Sequence, residues 1–172
     1  LKERTSYRKY GDTPKNFATN EKVQYPKNKA PLQVLDINLA DSAAWERLPG
    51  IGEKLSSRIV RYRERLGGFI SMAQIKEVYG ISDSLIDAIQ PFLKMKNDFS
   101  PHKLKINEAD YRELRKHPYV THAMAKIVLA YRKQHGMIES ETVLMEINGL
   151  DPVEIKRLLP YLSFDQSIKS SS

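Results

Sequence analysis

Displacing the sequence by 69 residues lays Leu35–Leu93 over Leu104–Leu162 without a gap. No other feature limits so sharply what this chain can fold into. Identical residues at matching positions include Leu35/Leu104, Ile37/Ile106, Asn38/Asn107, Asp41/Asp110, Pro49/Pro118, Tyr62/Tyr131, Arg63/Arg132, Gly67/Gly136, Glu77/Glu146, Gly80/Gly149 and Pro91/Pro160. Glycine and proline punctuate the backbone, so a match that holds them in register implies the same succession of turns twice. The chain therefore reads as two copies of one supersecondary unit, the first over 34–99 and the second over 100–165.

Each copy reads as short helices joined by tight turns. In the first, Asn38 or Asp41 caps a helix over 41–47. A longer helix spans 53–66, where Leu55, Ile59, Tyr62 and Leu66 fall on one face. Gly67-Gly68 ends it. Helices near 72–78 and 82–90 meet at "YGIS" (Tyr79–Ser82), and Pro91 stops the last. Trp45 stands where the second copy has Leu114, which marks it as core. No stretch alternates as a strand would, so the expected fold class is all-α, two tandem units of short helices.

The flanks differ in kind. Residues 1–33 form a basic, largely irregular tail with no helical apolar face, and 166–172 read as a disordered tail. In the first flank Tyr7, Tyr10, Phe17 and Tyr25 interleave with Arg4, Arg8, Lys9, Lys15 and Lys22. Two readings stand: an arm that stacks on bases and pairs with phosphates, or a solvated linker. The chain opens on Leu1 instead of Met, as a piece of a longer protein would, and an anchoring segment outside it is compatible with that. The sequence has no cysteine, which excludes disulfides and thiol chemistry. No apolar run approaches the roughly 18 residues of a membrane span, so this segment does not itself insert.

The formal charge of +7 is unevenly placed. Residues 1–33 carry +5 and 94–103 carry +2, whereas 34–93 carry −1 and 104–162 carry +1. A phosphate-binding surface on the folded units must then be a local patch and not a general field.

The stretch "LPGIG" (Leu48–Gly52) supplies such a patch. A helix, a turn of this form and a second helix make a helix–hairpin–helix. Gly50 and Gly52 can take positive φ and leave no Cβ in the way of a second backbone. Ile51 between them pins the hairpin to the core. The turn feeds the N-terminus of the 53–66 helix, whose unpaired N–H groups and positive dipole end suit a phosphate oxygen. Lys54, Arg58, Arg61 and Arg65 recur at i, i+4, i+7 and i+11 of that helix as a narrow basic stripe. Gly80 and Ser82 of "YGIS" form a secondary hairpin. Contacts of this kind reach the DNA backbone and not base edges, so they position without reading sequence. The rival reading is a protein-interaction or structural module in which the hairpins only pack helices.

The stretch Leu35–Phe69, with its "INLAD", "LPGIG" and "YRERLGGF", together with the later "VYGIS", resembles the helix–hairpin–helix domain of the competence protein ComEA and its relatives. The resemblance implies a double helix–hairpin–helix unit that binds double-stranded DNA without sequence specificity. It also implies a setting at the cell surface or in the periplasm, often behind an N-terminal membrane anchor, and a part in DNA uptake. The family usually carries one such unit, and the tandem here departs from that pattern.

In the second copy "LPGIG" has become "HPYVT" (His117–Thr121). Tyr119 and Thr121 replace the glycines, and Tyr119 brings a ring to where a phosphate would sit. Ala123, Ile127, Ala130 and Gln134 replace the stripe. The segment Ala123–Tyr131 is apolar nearly all round, which predicts packing against the first unit or a partner protein. Arg112, Arg115 and Lys116 leave a secondary DNA contact open.

Catalytic constellations are missing. Glu53–Val78 contains no Asp where helix–hairpin–helix glycosylases place their catalytic one, and Lys54 lies among other cations, where phosphate pairing is the simpler role. The four histidines lack metal spacing, and neither a two-metal acidic cluster nor a P-loop occurs. The expectation is a non-enzymatic protein with no cofactor, partnered by double-stranded DNA.

Overall fold

The computed structural model describes residues 33–165. The readings made of the basic arm's aromatic and cationic residues and of the 166–172 tail fall outside them.

The order of elements repeats as the sequence does. Strand β1 (Leu35–Asp36), helices α1 (Ser42–Glu46) and α2 (Glu53–Leu66), a 3-10 turn (Met72–Glu77), helix α3 (Asp83–Ile89) and strand β2 (Leu93–Lys94) make the first unit. Strand β3 (Leu104–Lys105), helices α4 (Tyr111–Lys116), α5 (His122–His135), α6 (Glu141–Glu146) and α7 (Pro152–Leu158) and strand β4 (Leu162–Ser163) make the second. The helical fold expected from the sequence is the observed one, with one addition. Each unit is closed by a two-residue parallel bridge, Leu35 opposite Leu93 in the first and Leu104 opposite Leu162 in the second. Those leucines open and close the repeat. Two residues are too few to show alternation, which is why no strand was legible.

The residues shared by the copies do architectural work at these joints. Asn38 holds the chain after α2 in a two-way clamp, accepting from Phe69 N–H and donating to Phe69 C=O, both at 2.8 Å. Asn107 repeats it on Ile138 at 2.8 and 2.9 Å. Arg63 and Arg132 each donate to a carbonyl of the opening turn, Ala40 and Ala109, at 2.6 Å. Burial lowers the pKa of the Arg63 guanidinium, and those carbonyls supply its acceptors. Asp41 and Asp110 cap α1 and α4. Gly67, in the left-handed region at φ 87°, ends α2.

Around these joints lies one hydrophobic core running through both units, with Trp45, Ile59, Leu66 and Phe69 from the first and Leu114, Ile138, Leu144 and Tyr161 from the second all inaccessible or nearly so. The Trp45 indole N–H has no hydrogen-bond partner in it.

The units meet through an aromatic and polar seam. Tyr161, fully buried, donates to Gly68 C=O at 3.1 Å and accepts from Gln74 at 2.8 Å. Tyr119 accepts from the same Gln74 amide at 2.8 Å and donates to Glu77 at 2.9 Å. Tyr62 also donates to Glu77, at 2.5 Å, and Arg157 pairs with that carboxylate at 3.0 Å while lying over the Tyr119 ring. His117 packs between Tyr119 and Tyr161. Its Nδ1 accepts from Tyr119 N–H at 3.2 Å, so Nε2 carries the proton and donates to Leu66 C=O at 3.1 Å. Burial, aided by the nearby Arg65 charge, lowers the His117 pKa to about 4. Burial pushes the Tyr161 phenol up to about 12 and raises Tyr62 as well, the latter reinforced by Glu77.

This seam corrects one expectation. Of the two expectations for Ala123–Tyr131, packing on the first unit or on a partner protein, the first fails: Ala123 and Ala130 are exposed and Ile127 half-buried. Met124, Ala125 and Val128 turn inward to the core of their own unit. The rings that meet the first unit are His117, Tyr119 and Tyr161, none of them in that helix. Apolarity around α5 marked a helix with two covered sides, but one of its apolar faces is open.

Candidate nucleic-acid interface

Each unit presents two hairpins side by side. In the first, Ile51 N–H bonds to Leu48 C=O at 3.3 Å and Ile81 N–H to Val78 C=O at 3.1 Å. Gly50 and Gly80 occupy the third position of these turns at φ 79° and 96°, the left-handed conformation a type II turn demands. The two hairpins grip one another reciprocally. A Cβ on Gly50 would lie 2.8 Å from Leu85 Cδ1, and one on Gly80 would lie 3.7 Å from Leu55 Cδ1. Leu55 and Leu85 each stand five residues after the glycine of their own hairpin. Gly50 is thus small for the sake of the turn and of its neighbour. Ile51, 4% exposed, is the expected pin.

Gly52 is different. It sits at φ −102°, so the expectation of positive φ fails here, and a Cβ on it would meet nothing within 4 Å. What its lack of a side chain changes is the cap. Thr121, Ser82 and Asp151 each accept a backbone N–H at the start of α5, α3 and α7, whereas Gly52 gives α2 no side-chain acceptor. Among these four hairpin helices α2 alone presents its N-terminal N–H groups uncapped, with open space in front of them. Glu53 lies in its first turn, and the Glu46 carboxylate accepts from Ser56 Oγ on the same end at 2.9 Å.

The basic stripe divides into parts. Lys54 and Arg61 are exposed, Arg61 lying back on Ser57 C=O of its own helix. Arg58 reaches across to the second hairpin, donating to Tyr79 C=O at 3.2 Å and stacking 5.2 Å from the Tyr79 ring centre. Arg65 donates to Lys116 C=O at 2.9 Å and so belongs to the seam with the second unit. The structure therefore brings Gly50, Ile51, Gly52, Lys54, Arg58 and Arg61 together with Gly80 and Ser82, and draws Arg65 away. It adds Tyr79, 83% exposed, whose ring stands beside a guanidinium between the two hairpins. The sequence signal for Tyr79 was its place in the second turn, where Pro49 stands in the first.

The second unit alters every part of this arrangement. Tyr119 replaces Gly50 without positive φ, so the "HPYVT" turn is not type II although Val120 N–H still bonds His117 C=O at 3.1 Å. Glu154 replaces Leu85, the side chain that required Gly50 to be bare. Where Arg58 Nη1 lies against Gly80, Ile127 Cδ1 lies against Gly149. Thr121 caps α5, and Asp151 puts a carboxylate at the start of α7, where a phosphate would be repelled. Arg112, Arg115 and Lys116 of α4 are all exposed, and Arg115 donates to Val120 C=O inside its own hairpin.

Paired hairpins of this geometry, twice over, define a helix–hairpin–helix protein. A sequence model described as helix-hairpin-helix motif matches residues 32–94 and again 100–163, well over half of the chain, and the chain belongs to that family. Its curated relatives include "Endonuclease/exonuclease/phosphatase family domain-containing protein 1" of Xenopus laevis, 22% identical over 80% of this chain and 28% of the relative. The proteins of that name from Danio rerio and Mus musculus are 25% and 23% identical over 72% and 84% of this chain. The chain spans less than a third of the length of these relatives. No solved structure matches it. The competence and DNA-uptake role implied by the resemblance to ComEA finds no support among these relatives. No described helix is long and apolar enough to cross a membrane.

Proposed function

We propose that this chain binds double-stranded DNA without sequence preference through the hairpin face of its first unit, contributing binding and no hydrolysis of its own. The observation that carries the reading is the α2 N-terminus. It lacks a capping side chain, faces open space at Gly52, and is flanked by exposed Lys54 and Arg61. Backbone N–H groups and the positive end of a 14-residue helix favour a phosphate oxygen there. Lys54 and Arg61 add counterion-releasing contacts along the same helix. Tyr79 and Arg58 extend the face across the second hairpin. Backbone N–H groups at a helix terminus meet phosphate oxygens and not base edges, so a contact centred there positions the protein without reading sequence. Membership of the helix–hairpin–helix family, whose motifs generally bind nucleic acid, supports the reading. The printed name of the relatives, a nuclease and phosphatase family, is in keeping with it.

The test is the affinity of the full chain for a short labelled duplex, measured across salt. Few phosphate contacts predict a log–log slope of about −2 to −4. Gly52→Asp with Lys54→Glu fills the open N-terminus with negative charge, and affinity is expected to fall at least tenfold, roughly the loss of two contacts. Unchanged affinity in that variant would remove the hairpin face from the interface.

A further inference from the structure

We infer that the outer face of the second unit, around Tyr131 and Glu146, is a docking site for a partner protein's hairpin that presents an aromatic hydroxyl beside a guanidinium. The first unit shows what this face does. There Glu77, which also accepts from Tyr62, receives the Tyr119 hydroxyl at 2.9 Å and the Arg157 guanidinium at 3.0 Å. The repeat places Tyr131 and Glu146 at the matching positions of the second unit. Instead of a bound hairpin they line an open pocket of about 430 Å³ together with Ile127, Ala130, Gln134 and Asn148. Glu146 is exposed and enters no ion pair among the described residues.

A second, adjoining patch carries the same relation. Gly67 in the first unit is covered by the chain leading into the second: His102 N–H bonds Gly67 C=O at 2.8 Å, and a Cβ on Gly67 would lie 2.5 Å from His102 O. Gly136, its counterpart, has nothing within 4 Å of such a Cβ and borders another open pocket of about 410 Å³. Among the described residues, then, no hairpin covers the counterparts of the two patches that hold the second unit on the first.

Charge and shape select the occupant. Glu77 draws the Arg157 guanidinium in the first unit, and the exposed Glu146 offers a guanidinium the same acceptor. A second copy of this chain is a poor fit. Its own tyrosine-bearing hairpin is already docked, and the first-unit residues matching His117, Tyr119, Arg157 and Tyr161 are Leu48, Gly50, Ala88 and Phe92, which offer neither hydroxyl nor guanidinium.

The probe is a disulfide-closed peptide hairpin bearing a His-Pro-Tyr-Val turn and a neighbouring arginine, titrated into the isotope-labelled full chain. Saturable amide shifts are expected within Ile127–His135 and Glu146–Gly149. Glu146→Gln, an exposed isosteric change, should weaken binding about fivefold while leaving thermal unfolding unchanged. Tyrosine-to-phenylalanine in the probe should weaken it similarly, and the two changes together should cost less than their product, because they remove one hydrogen bond. No shift at millimolar peptide, or equal binding to Glu146→Gln, would overturn the inference. So would self-association of the chain that Glu146→Gln abolishes, which would give the face to a second copy.

Discussion

The hairpins at Leu48–Gly52 and His117–Thr121 descend from one pattern and have parted in three linked ways. The first needs Gly50 because Leu85 presses on it, and the second loses the glycine where Leu85 has become Glu154. The first leaves its helix uncapped at Gly52, while the second caps it with Thr121. The first faces outward among cations, and the second turns Tyr119 into the seam with its neighbour. One hairpin thus has the free N–H groups that an anion needs, and the other has used its polar groups to fix the units together. A motif can keep its backbone architecture while its unsatisfied groups, which are what bind, are reassigned.

The comparison can be broken first at His117, which has no counterpart in the first hairpin, where Leu48 stands. Its imidazole is buried and neutral in the folded chain, with a pKa near 4 against an ordinary 6.5. The unfolded chain therefore takes up the proton first as pH falls. The stability from this site is complete above about pH 6.5, declines as pH drops, and levels off below about 4. The expected loss is roughly 3 kcal/mol. Denaturant melts at stepped pH would show it, and His117→Asn should flatten that part of the profile.

Gly50→Ala comes next. It forces a side chain to φ 79° against Leu85, at about 2 kcal/mol. Gly52→Ala, at φ −102° in open space, should change stability by no more than a few tenths. Equal effects in thermal melts would dissolve the distinction between a packed turn glycine and an open one. Tyr119→Phe removes the hydroxyl shared by Gln74 and Glu77 and should cost about 1 kcal/mol by denaturant titration. Its duplex affinity should not move, since Tyr119 lies in the seam.

The smallest stability effect and the sharpest contrast come from exchanging caps. Gly52→Thr copies the second hairpin into the first. It should alter folding by only a few tenths of a kcal/mol while weakening duplex binding severalfold, because its hydroxyl occupies an N–H that the phosphate would use. Thr121→Gly in the second unit should confer no binding, since Ala123 and Ile127 supply no charge and Asp151 repels.

Much of this architecture was legible because it rests on local rules. Asp41 and Asp110 cap, Gly67 terminates, and the apolar spacing of Leu55, Ile59 and Leu66 sets the buried side of α2. Lys54, Arg58 and Arg61 sit on one face because helical periodicity puts them there. What stayed hidden is non-local. Nothing in the spacing says that Arg65 reaches Lys116 C=O, that Arg58 stacks on Tyr79, or that the apolar helix Ala123–Tyr131 leaves one face open.

By itself the sequence determined the repeat, the helices, the turns and which hairpin keeps both glycines beside a run of cations. Those follow from backbone conformations and periodicities that act within a few residues of one another. Only the tertiary structure decided which glycine is packed and which is open, and that His117, Tyr119 and Tyr161 join the units. It also decided that each unit has an outer face and that, among the described residues, a hairpin covers only the first one. Such outcomes depend on which side chains meet across dozens of residues, where burial and the pairing of polar groups settle what local propensity leaves free.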